Sequence, residues 1–207
     1  MKLYLASANP HKAAEFQALA DAAGGPASGV EIASAAELGG MPAVSEDAGT
    51  FSGNARKKAR ALRDRLPPGG WAIADDSGLC VEALGGDPGV ESAYFAGSPS
   101  DPAANLAKLV EAMRGIPAGR RDAEFVCALV LCGPGGIERQ FEGRCKGRLV
   151  SEPRGKAGFG YDPLFVPDGL ELTLAEMTQE QKNGVSHRGR AWAKCVGWLA
   201  SLGQTML

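Results

Sequence analysis

The sequence predicts an α/β fold, and three observations carry that prediction. A short apolar strand at Lys2–Ala6 leads through a polar loop into a helical pattern. A second apolar run, Trp71–Ala74, ends directly in two acids. A third, Phe125–Cys132, turns back on itself well before a C-terminal helical stretch. Strands alternating with helices in this way call for helices packed on a sheet.

Taken in order, Lys12–Ala23 places Phe16, Leu19, Ala20 and Ala23 on one helical face, and Gly24–Gly29 breaks that helix. A short strand is expected around Val30–Ala33. The next helix runs from Thr50 to Leu66, with Phe51, Ala55, Ala59, Leu62 and Leu66 inward and Arg56, Lys57, Arg60 and Arg63 outward. Pro67-Pro68-Gly69-Gly70 stops it. Trp71–Ala74 then places Asp75-Asp76-Ser77-Gly78 at a strand's carboxyl end, where open α/β sheets put their chemistry. After a Gly- and Pro-rich loop from Leu84 to Pro99, Asp101-Pro102 supplies an N-cap and a first-turn proline for a helix bearing Leu106, Leu109, Val110 and Met113. Phe125–Cys132, Gly133–Gly136 and Ile137–Lys146 form a long hairpin with one strand buried on both faces. A short strand at Pro163–Val166 precedes a last helix over His187–Leu202, with Trp192, Cys195, Val196 and Leu199 inward.

The 207 residues carry 22 basic and 24 acidic side chains, a formal net charge of -2, so no global field draws the protein to nucleic acid or to an acidic membrane. An anionic ligand must be held by local cations. No stretch approaches the ~18 apolar residues of a spanning helix, and the start Met1–Ala6 is too short for a signal peptide, so the expectation is a cytoplasmic protein. Cys80, Cys127, Cys132, Cys145 and Cys195 are odd in number and contain no C-x-x-C pair, which points to reduced, buried thiols.

Four stretches bear chemistry, each with two open readings. Ser7-Ala8-Asn9-Pro10-His11-Lys12 joins the first strand to the first helix, where free N–H groups favour an anion and Lys12 adds charge; simple capping by Ser7 or Asn9 is the alternative. Asp75 and Asp76 imply a hard divalent cation if buried, with Glu46 and Asp47 as further oxygen donors; Asp-Asp-Ser-Gly is also good turn chemistry, and the other two acids can serve as helix caps. Gly158-Phe159-Gly160-Tyr161-Asp162 suits a loop clamping a planar ring, or a tight turn with Phe159 in the core. Lys182, His187 and Arg188 gather donors around a helix start, against a reading in which Ser186 caps beneath a solvated basic turn.

Taken together, these segments resemble the inosine triphosphate pyrophosphatase family, the non-canonical purine NTP (dITP/XTP) pyrophosphatases. The resemblance covers nearly the whole chain. It rests on Leu5-Ala6-Ser7-Ala8-Asn9 with Lys12 and Glu15, Thr50-Phe51 and Asn54-Ala55 with Lys58-Ala59, and Ala74-Asp75-Asp76-Ser77-Gly78-Leu79. Ala83-Leu84-Gly85-Gly86 with Pro88-Gly89-Val90, Gly158–Pro163 and Ser186-His187-Arg188-Gly189 complete it.

The resemblance implies a mixed, twisted sheet flanked by helices, one domain over residues 1–207 with two lobes around a central cleft, and commonly a homodimer. It implies a purine nucleoside triphosphate substrate, Mg²⁺, and hydrolysis to the monophosphate and pyrophosphate. Ser7, Ala8, Asn9, Pro10, His11 and Lys12 match the triphosphate loop; Asp76 the proton acceptor and metal ligand; Glu46 a second metal ligand, with Asp75 supporting the metal; Ser77 a substrate contact; and Lys58 a cleft lysine. Phe159, Gly160, Tyr161, Asp162, Lys182, His187 and Arg188 match nucleotide-binding positions. Donors from His187 and Arg188 directed at a 6-keto oxygen would reject adenine. The Glu46 stretch, Ser45-Glu46-Asp47-Ala48-Gly49, is spelt differently from the Glu-Thr-Gly usual there.

Overall fold

The computed structural model describes residues 1–22 and 29–205; Ala23 and most of the expected Gly24–Gly29 break lie outside the described residues. The described residues form, in chain order, six strands and five α-helices: β1 (Lys2–Leu5), α1 (Pro10–Ala22), β2 (Glu31–Ser34), α2 (Phe51–Arg63), β3 (Trp71–Val81), α3 (Pro102–Ala112), β4 (Asp122–Cys132), β5 (Glu138–Leu149), β6 (Phe165–Pro167), α4 (Gln179–Val185) and α5 (His187–Thr205). The sheet order is β2-β1-β3-β4-β5-β6. β1 runs parallel to both β2 and β3, and β5 antiparallel to β6, so the sheet is mixed as expected. No helix among the described residues is long and apolar enough to cross a membrane.

The chain groups into two compact units. The first comprises residues 1–76, 127–143 and 188–207. Strand alternation sends successive side chains of β3 to opposite faces, and both faces are covered in this unit. On one, Leu3, Leu5, Ile73, Cys127, Leu129 and Leu131 pack against Phe16 and Leu19 of α1 and Trp192 and Cys195 of α5, with the Phe16 and Trp192 rings edge to face. On the other, Ala72, Ala74, Val130 and Cys132 receive Ala55, Ala59 and Leu62 of α2. The small alanines let α2 approach closely, and Thr50 caps it by accepting from the Gly53 N–H.

The second unit comprises residues 77–126 and 144–187. Leu109 and Met113 of α3 pack with Leu79, Val81, Phe125, Cys145, Leu149, Leu164, Phe165 and Leu174. Asp101 caps α3 through the Ala103 and Ala104 N–H groups, with Pro102 in the first turn, as the sequence predicts. The sequence reading missed α4, although Thr178 and Gln181 form a reciprocal capping box whose T-x-x-Q signature was legible.

Candidate active site

The acid pair is not at the end of a strand. β3 continues through Asp75 and Asp76 to Val81, so the expected boundary after Ala74 is corrected. The physical reason is alternation: the two carboxylates leave the strand on opposite faces and each finds its own cations, so their mutual repulsion does not end the strand.

Asp76 faces α2. Its Oδ1 accepts from Lys58 Nζ at 2.9 Å, and its Oδ2 from Asn54 Nδ2 at 3.3 Å. Lys58 Nζ also reaches Glu46 Oε2 at 2.8 Å, so acids from two separated stretches converge on one ammonium. Asp47 turns instead to Lys57. Burial pushes the Asp76 carboxyl up; Lys58 and Lys12 oppose that shift, Glu46 adds to it, and the net displacement is upward. Lys58 moves up as well, because Asp76, Asp75 and Glu46 outweigh the effect of its burial.

Asp75, on the face of α1 and α5, is 1% exposed. Its Oδ2 lies 3.0 Å from Lys12 Nζ and 3.2 Å from Arg188 Nε, while Arg188 Nη1 donates to Glu15 Oε2 at 2.9 Å. Complete burial alone would raise the Asp75 carboxyl, but Lys12, Arg188 and Lys58 hold it well below the usual carboxylate range. The structure therefore sets Asp75 against Lys12 and Arg188, and Asp76 with Glu46 against Lys58. Motif spacing alone gives Glu15 no role of its own. Its signal was an acid beside Phe16 on the buried face of α1, where an acid requires a buried cation.

In the loop before α1, Ser7 Oγ accepts from the Asn9 N–H at 3.1 Å and Asn9 Oδ1 from the His11 N–H at 2.9 Å, with Pro10 opening the helix. The capping reading thus describes the loop's own bonds. Ala8, Pro10 and His11 are exposed.

In the second unit, Asp162 Oδ2 accepts from the Phe159 N–H at 2.8 Å and from Lys182 Nζ at 2.7 Å, and that ammonium stands 5.5 Å from the Phe159 ring centre. Gly158 has φ +71°, and a Cβ there would lie 2.0 Å from Asp162 Oδ2, so the turn requires glycine. Phe159 and Gly160 are half-buried. The core aromatic of this loop is Tyr161, whose hydroxyl donates to the Ser92 carbonyl at 2.8 Å. Ser77 is half-buried on β3. His187 is buried, its ring stacked on Phe125 with centroids 4.7 Å apart. Arg188 Nε and Nη1 are thus engaged by carboxylates, and the His187 ring lies on an aromatic.

Among the described residues no group of three or more His, Cys, Asp or Glu side chains forms a metal-ligand set. Mg²⁺ does not need one, since it commonly takes one or two carboxylates together with waters and phosphate oxygens. Glu46 and Asp76 fit that requirement: hard oxygens from both already converge on a single cationic group.

A mixed α/β sheet whose strand β3 carries two buried acids, each paired with a lysine, places the chain among α/β proteins with a charged centre on the sheet. More particularly, the chain belongs to the Ham1 family, whose model matches residues 3–198. It is 57% identical over 199 residues to a dITP/XTP pyrophosphatase of Opitutus terrae, covering 96% of this chain and 98% of the relative. It is 43% identical over 196 residues to a dITP/XTP pyrophosphatase of Desulforamulus reducens, covering 95% and 94%. Among solved structures, the Ham1 protein of Staphylococcus aureus superposes with a TM-score of 0.81 at 33% identity, covering 97% of this chain and 99% of that one. A nucleoside-triphosphatase / dITP/XTP pyrophosphatase of Mycobacterium abscessus superposes at 0.71 with 44% identity, covering 94% and 98%. The resemblance read from the motifs is borne out.

Proposed function

We propose that this chain hydrolyses non-canonical purine nucleoside triphosphates, dITP, ITP and XTP, to the monophosphate and pyrophosphate, with Mg²⁺. The observation that carries the reading is the Lys58 ammonium between Glu46 and Asp76, at 2.8 and 2.9 Å. The two curated relatives described above carry the dITP/XTP pyrophosphatase description and are covered over almost their full length. Glu46 and Asp76 would hold the ion, which supplies positive charge against the phosphate oxygens. Asp76, with its carboxyl displaced upward, takes a proton from the water that attacks the α-phosphorus, and pyrophosphate leaves. Lys58 and Lys12 oppose the charge that develops on the phosphates, and both are already held in place by carboxylates.

Base recognition is assigned to the Gly158–Asp162 turn and Lys182, with His187 and Arg188 at the start of α5 as further donors. Phe159 offers a ring for stacking, and Lys182, which can only donate, stands beside that ring. A 6-keto oxygen accepts from an ammonium. A 6-amino group does not, and leaving a buried donor unpaired costs about 1–3 kcal/mol. Pyrophosphate, and not orthophosphate, should therefore appear from dITP, ITP and XTP, with little from ATP or dUTP. Release of orthophosphate, or equal turnover of ATP, would reject the reading. Phe159→Ala should raise KM for ITP by roughly 5- to 150-fold, the equivalent of ~1–3 kcal/mol of base stacking, with kcat changed far less. An unchanged KM would remove Phe159 from the base. The homodimer implied by the resemblance belongs to the same proposal and is read directly by sedimentation.

A further inference from the structure

We infer that Asn54 is a positioning residue that fixes both the Asp76 carboxylate and the loop carrying Glu46, an inference that rests on the function proposed above. Asn54 is 1% exposed on the first turns of α2. Its Oδ1 accepts from the Ala48 N–H at 3.0 Å, two residues beyond Glu46. With the oxygen committed there, the amide must present Nδ2, a donor only, to Asp76 Oδ2 at 3.3 Å. Lys58, four residues on and on the same helical face, donates to the other oxygen, Oδ1, at 2.9 Å. Two donors on two different oxygens set the rotation of the Asp76 carboxylate. The same α2 face sets the Glu46 loop, through Asn54 at Ala48 and Lys58 at Glu46.

Gly53 provides independent support. A Cβ at this position would lie 2.5 Å from the Ala48 Cβ and 2.8 Å from Thr50 Oγ1, so the loop presses onto the helix where a side chain is missing. The first turn of α2 is thus a latch. It holds the Glu46 loop against the helix and presents to that loop a carboxylate already turned to the right plane.

Two substitutions separate the parts of the latch. Asn54→Ala removes both bonds. Asn54→Asp keeps an oxygen for the Ala48 N–H but sets a second carboxylate oxygen against Asp76 Oδ2. Both should lower kcat for dITP by about 10- to 100-fold, the usual effect of losing a partner that orients a ligand or base, while KM moves little. In the protein without metal or nucleotide, amide hydrogen exchange over residues 45–49 should accelerate in Asn54→Ala and stay near wild type in Asn54→Asp. Gly53→Ala, which leaves Asn54 in place, should accelerate the same amides and lower kcat in the same way, and it carries the test if Asn54→Ala does not fold. Turnover of Asn54→Asp within about twofold of wild type, or a raised KM with kcat intact, would overturn the inference. Wild-type protein that releases no pyrophosphate from dITP would sink the proposed function, while the exchange contrast between the two Asn54 variants would still report on the latch.

Discussion

Replacing Asp76 with asparagine should lower pyrophosphate release from dITP by ~10²–10⁴-fold, the range expected when a positioned proton acceptor is lost. Three changes act together. The introduced amide cannot take a proton at neutral pH, it removes one of the two carboxylates that converge on Lys58, and it turns a donor toward either Lys58 or Asn54, both of which are donors themselves. None of these changes touches the Phe159 turn or Lys182, so nucleotide binding measured by calorimetry should remain within several-fold of wild type. This split distinguishes a role in chemistry from one in binding: a group that contributes only in the transition state lowers kcat and kcat/KM together. Near-normal release by the variant would show that Asp76 is not the acceptor. A large loss of affinity with normal kcat would reassign it to substrate binding.

The sequence showed the elements more clearly than the site. Helical periodicity identified α1, α2, α3 and α5, and alternation with turn residues identified the β4–β5 hairpin, because these signals are local. The course of β3 was not local. Trp71–Ala74 was read as ending at the acids, since nothing in Ala-Asp-Asp-Ser-Gly shows that α1 and α5 cover one face and α2 the other. Once those layers are in place, two adjacent carboxylates become two separate ion clusters, and the strand passes between them. For the same reason nothing local shows that Asp75 and Glu15 engage Arg188 in the folded chain. In the Gly158–Asp162 turn, spacing could not decide which aromatic enters the core. The structure buries Tyr161, with its hydroxyl on Ser92, and leaves Phe159 half-buried. The residues themselves offer Glu46 and Asp47 as partners of the acid pair, but which of the two approaches Asp76 depends on how their loop folds against α2.

The buried quartet of Lys12, Asp75, Arg188 and Glu15 carries the largest expected stability effect. Its two cations and two carboxylates balance, and each charge depends on the others for compensation inside a packed layer. Replacing every member of such a cluster with apolar groups can be neutral, but removing one partner strands a buried charge and typically costs about 3–5 kcal/mol. Asp75→Asn keeps the shape and deletes the charge that two cations share, so it should lower the melting temperature by roughly 10 °C at neutral pH. The pH dependence follows in sign from the downward displacement of the Asp75 carboxyl. A group whose folded pKa lies below its unfolded value, near 3.9, contributes its stability above that value and loses it as pH falls toward the folded pKa. The gap between wild type and Asp75→Asn should therefore be constant from about pH 6 to 8 and narrow below roughly pH 4, where the unfolded wild-type chain begins to bind the proton that the folded one refuses. Melting curves across that range are the check. A variant that melts with wild type at pH 7, or a gap that widens in acid, would show that Asp75 is not the anion on which Lys12 and Arg188 depend. Since Lys12 is proposed to oppose the phosphate charge and is held by Asp75, the surviving folded variant should also bind dITP more weakly.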